Sequence, residues 1–194
     1  MKRCSWVTDD PIYINYHDNE WGIPVHDDNI HFEFLVLESA QAGLSWITIL
    51  KKRENYRISY DNFDPFKVSL YNEDKINNLL LNPKIIRNRR KIEASINNAT
   101  QFIKIQKEFG SFDKYIWSFT NYNPIITHYN HSTEVPCFSP LSDKISKDLK
   151  KRGFKFIGTK IIYSYLQAVG ILNEHTSDCF LFQYKGTGDN SLSL

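Results

Sequence analysis

The chain has 194 residues, 41% of them hydrophobic and 24% charged, the composition of an ordinary soluble globular protein with length for one well-buried domain or two small lobes. No apolar run reaches the length of a membrane span, and Met1-Lys2-Arg3-Cys4-Ser5-Trp6 lacks the apolar core of a secretory signal, so a cytoplasmic protein is expected. The net charge of +2 hides an asymmetry: residues 1–50 carry two basic and eight acidic side chains and residues 51–194 carry 22 basic and 14 acidic, which points to one acidic region and one surface facing a polyanion.

Helix signals dominate, and no alternating run predicts a sheet. A first helix is expected from about Asp28 to Ala42, stopped by Gly43. A second begins near Ser45 and carries Ile47, Leu50 and Tyr56. Asp64-Pro65 reads as an N-cap followed by proline at the first helical position, and Asn72-Glu73-Asp74 opens a helix with acids in its first turn. A long helix from about Arg89 to Glu108 has Ile92, Ile96, Ala99, Phe102 and Ile103 on one stripe and ends at Gly110. Ser111 caps a short helix. The proline-bearing segment 121–140 reads as a loop. Ser142 caps a helix ending at Gly153, and Gly158 and Gly170 bracket a last apolar one. The fold expected is all-α: a single domain over residues 1–184 made of two packed lobes, followed by a disordered tail at 185–194.

Glu38 is the anomaly in this pattern. At helical spacing it shares a face with Phe34, Leu35 and Ala42, and a charge on that apolar face requires a protein partner or a ligand. Trp6, Trp21 and Trp46, with Tyr13 and Tyr16, fall in the same fifty residues. Each alone reads as core packing. Together, flat aromatic faces beside a buried carboxylate suit a planar, positively charged, hydrogen-bonding ring.

Three cysteines are too few for a disulfide framework. His175 and Cys179 are four apart, which on a helix puts both on one face, and Cys4 and His17 supply a second pair. The four would make a closed tetrahedral zinc site of structural type that staples the chain ends together. A spacing of four is a weak signal, and a cysteine is more often a small buried hydrophobe, so both readings stand on spacing alone.

Several blocks in order carry a family resemblance: Cys4-Ser5-Trp6-Val7, Asp10-Pro11-Ile12-Tyr13, Tyr16-His17-Asp18-Asn19-Glu20-Trp21-Gly22-Ile23-Pro24, the stretch from Gln41-Ala42-Gly43-Leu44-Ser45-Trp46 to Arg57, Ile85-Ile86-Arg87, Trp117-Ser118-Phe119, and Leu149-Lys150-Lys151-Arg152-Gly153-Phe154-Lys155-Phe156-Ile157-Gly158-Thr159. Over about residues 3–180 the chain resembles the 3-methyladenine DNA glycosylase I family. The resemblance implies a helix-hairpin-helix glycosylase-like bundle with one structural zinc, whose ligands fall on Cys4, His17, His175 and Cys179. It implies a base pocket at Glu38, Tyr16 and Trp46, lined or supported by Trp6, Tyr13 and Trp21.

The implied activity is hydrolysis of the N-glycosidic bond of N3-methyladenine in double-stranded DNA after base flipping, releasing free 3-methyladenine and leaving an abasic site. The protein is expected to act as a monomer without lyase activity. The runner-up is a non-catalytic binder of damaged DNA that uses the same pocket; a zinc hydrolase would need an open coordination position. Leu44 would be the wedge that fills the gap left by the flipped base, or else a core leucine after a helix cap. Backbone contacts are expected from Lys84, Arg87, Arg89, Arg90 and Lys91 around the hairpin at about 82–88, and from Lys147, Lys150, Lys151, Arg152, Lys155 and Lys160. Lys84 and Arg90 stand where the family's hairpin often has glycine, which points to a hairpin that meets DNA differently. Related superfamily members use an aspartate after the hairpin; Asp113 here reads as a helix-start residue.

Overall fold

Proline placed directly after a capping aspartate starts the first helix of the chain. In the computed structural model, which describes residues 1–182, the Asp10 side chain accepts from the Ile12 amide and α1 runs Pro11–Asn19. The same Asp-Pro signature at 64–65 opens α5 (Pro65–Ser69), where Asp64 accepts from Phe66 and Lys67. Asp27 caps α2 (Asp28–Gln41), Asn72 caps α6 (Glu73–Leu81), Asn88 caps α7 (Arg89–Phe109), and Ser111 caps α8 (Phe112–Ser118). The helix placed after Ser45 is two: α3 (Trp46–Leu50) and α4 (Arg53–Ser59), broken at Lys51-Lys52. α9 (Pro140–Lys151) starts earlier than expected, because Ser139 is the N-cap and Ser142 is its capping-box partner. α10 spans Thr159–Ala168.

The helical expectation holds with one addition. Ile125–Ile126 (β1) and Leu172–Asn173 (β2) form a two-residue parallel bridge, which hydropathy alternation cannot reveal in so short a run. The loop that contains β1 is thereby tied to the segment leading into His175.

α2 is the axis of the fold. Its residues His31 to Ala40 are all buried, so the single apolar face expected for it widens to the whole circumference. α10, α7, α8 and α3 pack around it. Gly170 lets the N-terminal segment close over α10. Its φ is +70°, and a Cβ there would lie 2.2 Å from the Ile23 carbonyl carbon. Next to it, Val25 N donates to Val169 O at 3.1 Å and Gly22 N to Gln167 O at 3.1 Å. The chain ends meet: Phe180 N donates to Lys2 O at 2.9 Å, and Lys2 pairs with Asp178 at 2.7 Å. The tail at 185–194 and the boundary at 184 lie outside the described residues.

Candidate functional site: an acidic aromatic pocket beside a Cys/His cluster

Glu38 comes off the central helix into a cavity of about 320 Å³. It is 4% exposed, and its Oε2 has no hydrogen-bond partner. The nearby guanidinium of Arg53 does not serve it, being paired with Glu20 and Glu33 and lying 5.0 Å over the Phe34 ring. Among the described residues Glu38 therefore has no salt-bridge partner. Desolvation pushes its carboxyl up from 4.5 to about 8, which favours the protonated form at neutral pH.

Tyr16, Trp46, Trp6, Tyr13 and Trp21 line the same cavity, as expected of them. Tyr16 and Trp46 lie 5.5 Å apart between ring centroids, and Phe34 stacks beneath Trp46 at 6.5 Å and 24°. Burial and the Glu38 charge hold the Tyr16 phenol well above its ordinary value, so it stays protonated as a hydrogen-bond donor. The buried indole N–H of Trp46 is also without a partner. Two orphaned polar atoms on aromatic walls define a polar binding edge within a stacking slot.

The opposite wall escaped the sequence reading. Glu174, 2% exposed, lines the cavity and accepts from Tyr163 Oη at 2.7 and 2.8 Å and from Gln167 Nε2 at 2.6 Å. The only available signal was its place just before His175. Ser132, Val135, Pro136 and Cys137 close the cavity from the loop after β1. Among the described residues the slot is lined by two carboxyl groups, of Glu38 and Glu174, and by no lysine or arginine.

Cys4, His17, His175 and Cys179 are all buried, with ligand atoms within 4.8 Å of one another. Cys4 Sγ is 3.6 Å from His175 Nδ1, and Cys179 Sγ is 3.4 Å from His17 Nε2 and 3.5 Å from His175 Nδ1. A tetrahedron with metal–sulfur bonds of about 2.3 Å and metal–nitrogen bonds of about 2.0 Å has S···N edges of about 3.5 Å, so the four fit a metal ion. His17 Nδ1 contacts Asp18 at 2.7 Å, and Arg3 grips Asp18, the outer-shell support usual for a ligating imidazole. His175 precedes, and Cys179 closes, a turn in which Cys179 N donates to Thr176 O at 2.8 Å, so it is a turn rather than the helix expected from their spacing that brings the two together. Trp6 packs on His17 at 5.2 Å and Trp21 on His175 at 4.7 Å, so the walls of the cavity rest on the cluster.

Leu44 is outside the cavity, 42% exposed, on the loop between Gly43 (φ +84°) and Trp46; the core-leucine reading fails. Lys84, Arg87 and Arg90 are exposed around the hairpin between α6 and α7, and Lys151 is exposed at the end of α9. Lys84 and Arg90 are not among the residues with positive φ, so neither position requires the left-handed backbone that glycine would supply. Arg152 is turned into the protein, paired with Glu108 at 2.7 Å and Asp148 at 2.7 Å and lying over Phe109 and Tyr115. Phe156, unremarked in the sequence, is 38% exposed at φ +54°, with its carbonyl 2.9 Å from Ser39 Oγ of α2. Asp113 contacts His26 at 2.9 Å and His31 at 3.3 Å, as a structural tie at the start of α8.

Residues 6–182 match the methyladenine glycosylase family. The chain belongs to that family. It is 49% identical to DNA-3-methyladenine glycosylase 1 of Escherichia coli strain K12 over 92% of this chain and 96% of that one, and 44% identical to DNA-3-methyladenine glycosylase of Haemophilus influenzae over 91% and 96%. Among solved structures, a 3-methyladenine DNA glycosylase I superposes with a TM-score of 0.91 at 48% identity over 94% of this chain and 100% of that one. A Staphylococcus aureus 3-methyladenine DNA glycosylase I, solved to show 3-methyladenine recognition, gives 0.91 at 40% over 96% and 99%. As in other methyladenine glycosylases, the fold is mostly helical, and none of its described helices is long and apolar enough to cross a membrane.

Proposed function

We propose that this chain is a monofunctional DNA glycosylase that removes N3-methyladenine from double-stranded DNA. The observation that carries the reading is the unpartnered Glu38 Oε2 facing an aromatic slot that contains no cation. Methylation at N3 makes the purine cationic and weakens its bond to deoxyribose. A cationic base stacked on Trp46 gains about 2 kcal/mol from a desolvated cation–π contact. It also draws Glu38 into the ionised form, and the charged hydrogen bond adds roughly 1.5–3 kcal/mol. Ordinary adenine carries no charge to draw the proton off Glu38, so it meets a neutral carboxyl and gains neither contribution.

As the glycosidic bond breaks, positive charge leaves the purine and develops on the sugar. The carboxylates of Glu38 and Glu174 keep the field of the slot negative throughout, which is electrostatic stabilisation rather than strong acid catalysis. Water then attacks the sugar. Among the described residues no lysine lines the slot, which supports release of the base without a Schiff base and without strand cleavage.

DNA is gripped by the helix-hairpin-helix element made of α6, the turn 82–88 and α7. The first turn of α7 holds no acid and presents the exposed Arg90, a helix N-terminus suited to phosphate. Lys84 and Arg87 extend it, and Lys151 belongs to a second backbone contact; the ion pairs of Arg152 make it a structural support for that region. Leu44 enters the gap left by the flipped base. The Cys/His cluster holds one zinc ion, whose contribution is to fix the chain ends beneath Trp6 and Trp21. The reading is tested by incubating the zinc-loaded chain with alkylated duplex DNA and measuring free 3-methyladenine. Stoichiometric binding to an abasic-site analogue with no base released would instead identify a non-catalytic binder.

A further inference from the structure

Of the five basic residues around the hairpin, Lys91 alone uses its ammonium on backbone carbonyls. Nζ donates to Ala40 O at 2.8 Å and to Ala42 O at 2.7 Å. These are terminal carbonyls of α2, which lack a donor within the helix. A cation at the C-terminus of α2 also complements its dipole, whereas the same cation is unfavourable in the first turn of α7, where the sequence puts it. Lys91 therefore has a local cost in its own helix that its reach to α2 offsets.

The segment it holds is the one that carries Leu44. Leu44 N closes back on Gln41 O at 2.6 Å, and the tip of the turn projects: a Cβ at Gly43 would meet no atom within 4 Å. The turn is thus anchored at its base to the first turn of α7 and open at its tip.

We propose that Lys91 is a positioning residue that locks the Leu44 turn to the hairpin, so that gripping the DNA backbone and inserting the wedge happen as one rigid movement. The inference rests on the glycosylase reading of the pocket and on Leu44 as the wedge. It makes Lys91 a mechanical link rather than the phosphate ligand its place in a basic block suggests.

The experiment compares Lys91→Met, Lys91→Arg, Leu44→Ala and the Lys91→Met/Leu44→Ala double variant, all zinc-loaded, in single-turnover excision from alkylated duplex DNA. The same proteins are assayed for affinity to free 3-methyladenine and for the salt dependence of DNA binding. Lys91→Met should slow excision about tenfold or more, the loss expected for charge-assisted hydrogen bonds. Its free-base affinity should stay within about twofold, because Lys91 does not line the pocket and the carbonyls it holds, of Ala40 and Ala42, flank the lining residue Gln41 without lining the pocket themselves. The salt slope should match wild type, Lys91→Arg should recover most of the rate, and the double variant should be no slower than Leu44→Ala alone. A salt slope reduced by about one would make Lys91 a phosphate contact and overturn the proposal. So would a parallel loss of free-base affinity, or unchanged excision. Wild-type chain that releases no base would sink the glycosylase reading itself, and a Leu44→Ala variant as fast as wild type would sink the wedge; both outcomes are read independently of Lys91.

Discussion

Replacing Glu38 by glutamine should make the empty protein more stable, and more so as pH rises. The carboxyl ionises near 4.5 in the unfolded chain and only near 8 in the folded one. Between those values the folded state holds one more proton than the unfolded state, so stability falls with increasing pH. At about 1.4 kcal/mol per pH unit, the accumulated cost is about 3 kcal/mol at pH 7 and about 5 kcal/mol above pH 8. Glutamine does not titrate, so the stability difference between variant and wild type should be small at pH 4.5, grow through neutrality and level off above pH 8. Urea denaturation of both proteins with bound metal, at pH 5, 7 and 8.5, measures it, and the metal contribution cancels in the difference. The variant should lose selection for the cationic base while keeping its metal content. A stability difference that is flat with pH, or a glutamine variant less stable than wild type at pH 8.5, would refute the claim that Glu38 is desolvated and unpartnered.

Trp46→Ala should weaken affinity for 3-methyladenine by about 2 kcal/mol, roughly 30-fold, measured by fluorescence titration, with the fold intact by circular dichroism. Stripping zinc with a chelator should release one ion per chain and lower the melting temperature by roughly 10 °C or more, and Cys179→Ser should do the same without added chelator. Base affinity should fall along with the metal, because Trp6 and Trp21 rest on the ligating imidazoles. Gly170→Ala should cost on the order of 3 kcal/mol in chemical denaturation, from left-handed backbone strain and collision with Ile23.

What the sequence made legible was what is local. Caps at Asp64, Asn72 and Ser111 act within three residues, and the structure uses each of them. The Asp10-Pro11 start of α1 carried the same signature and was legible in principle. Glu38 was legible because a charge inside an apolar helical run contradicts its surroundings whatever the tertiary structure. What escaped depends on partners far along the chain. The bridge from Ile125 to Leu172 spans too few residues to leave a periodic trace. Arg152 and Lys91 read as members of basic blocks because charge runs are normally solvated; Glu108 and the α2 carbonyls, which claim them, are 44 and 49–51 positions away. Glu174 was hidden by an adjacent histidine that drew attention to metal.

The Cys/His cluster and the pocket are successive layers of one structure. α1 presents Tyr16 to the cavity and, one residue later, His17 to the cluster. The segment after β2 presents Glu174 to the cavity and then His175 to the cluster. Adjacent residues in each segment thus face opposite ways, and fixing the second of each pair fixes the first. A carboxyl as costly to bury as Glu38 needs walls that cannot collapse onto it or admit water freely, and in this fold those walls are held from behind by residues 4, 17, 175 and 179. The Cys/His cluster and the acidic pocket therefore form one design, in which rigidity at the chain ends maintains the desolvation of Glu38.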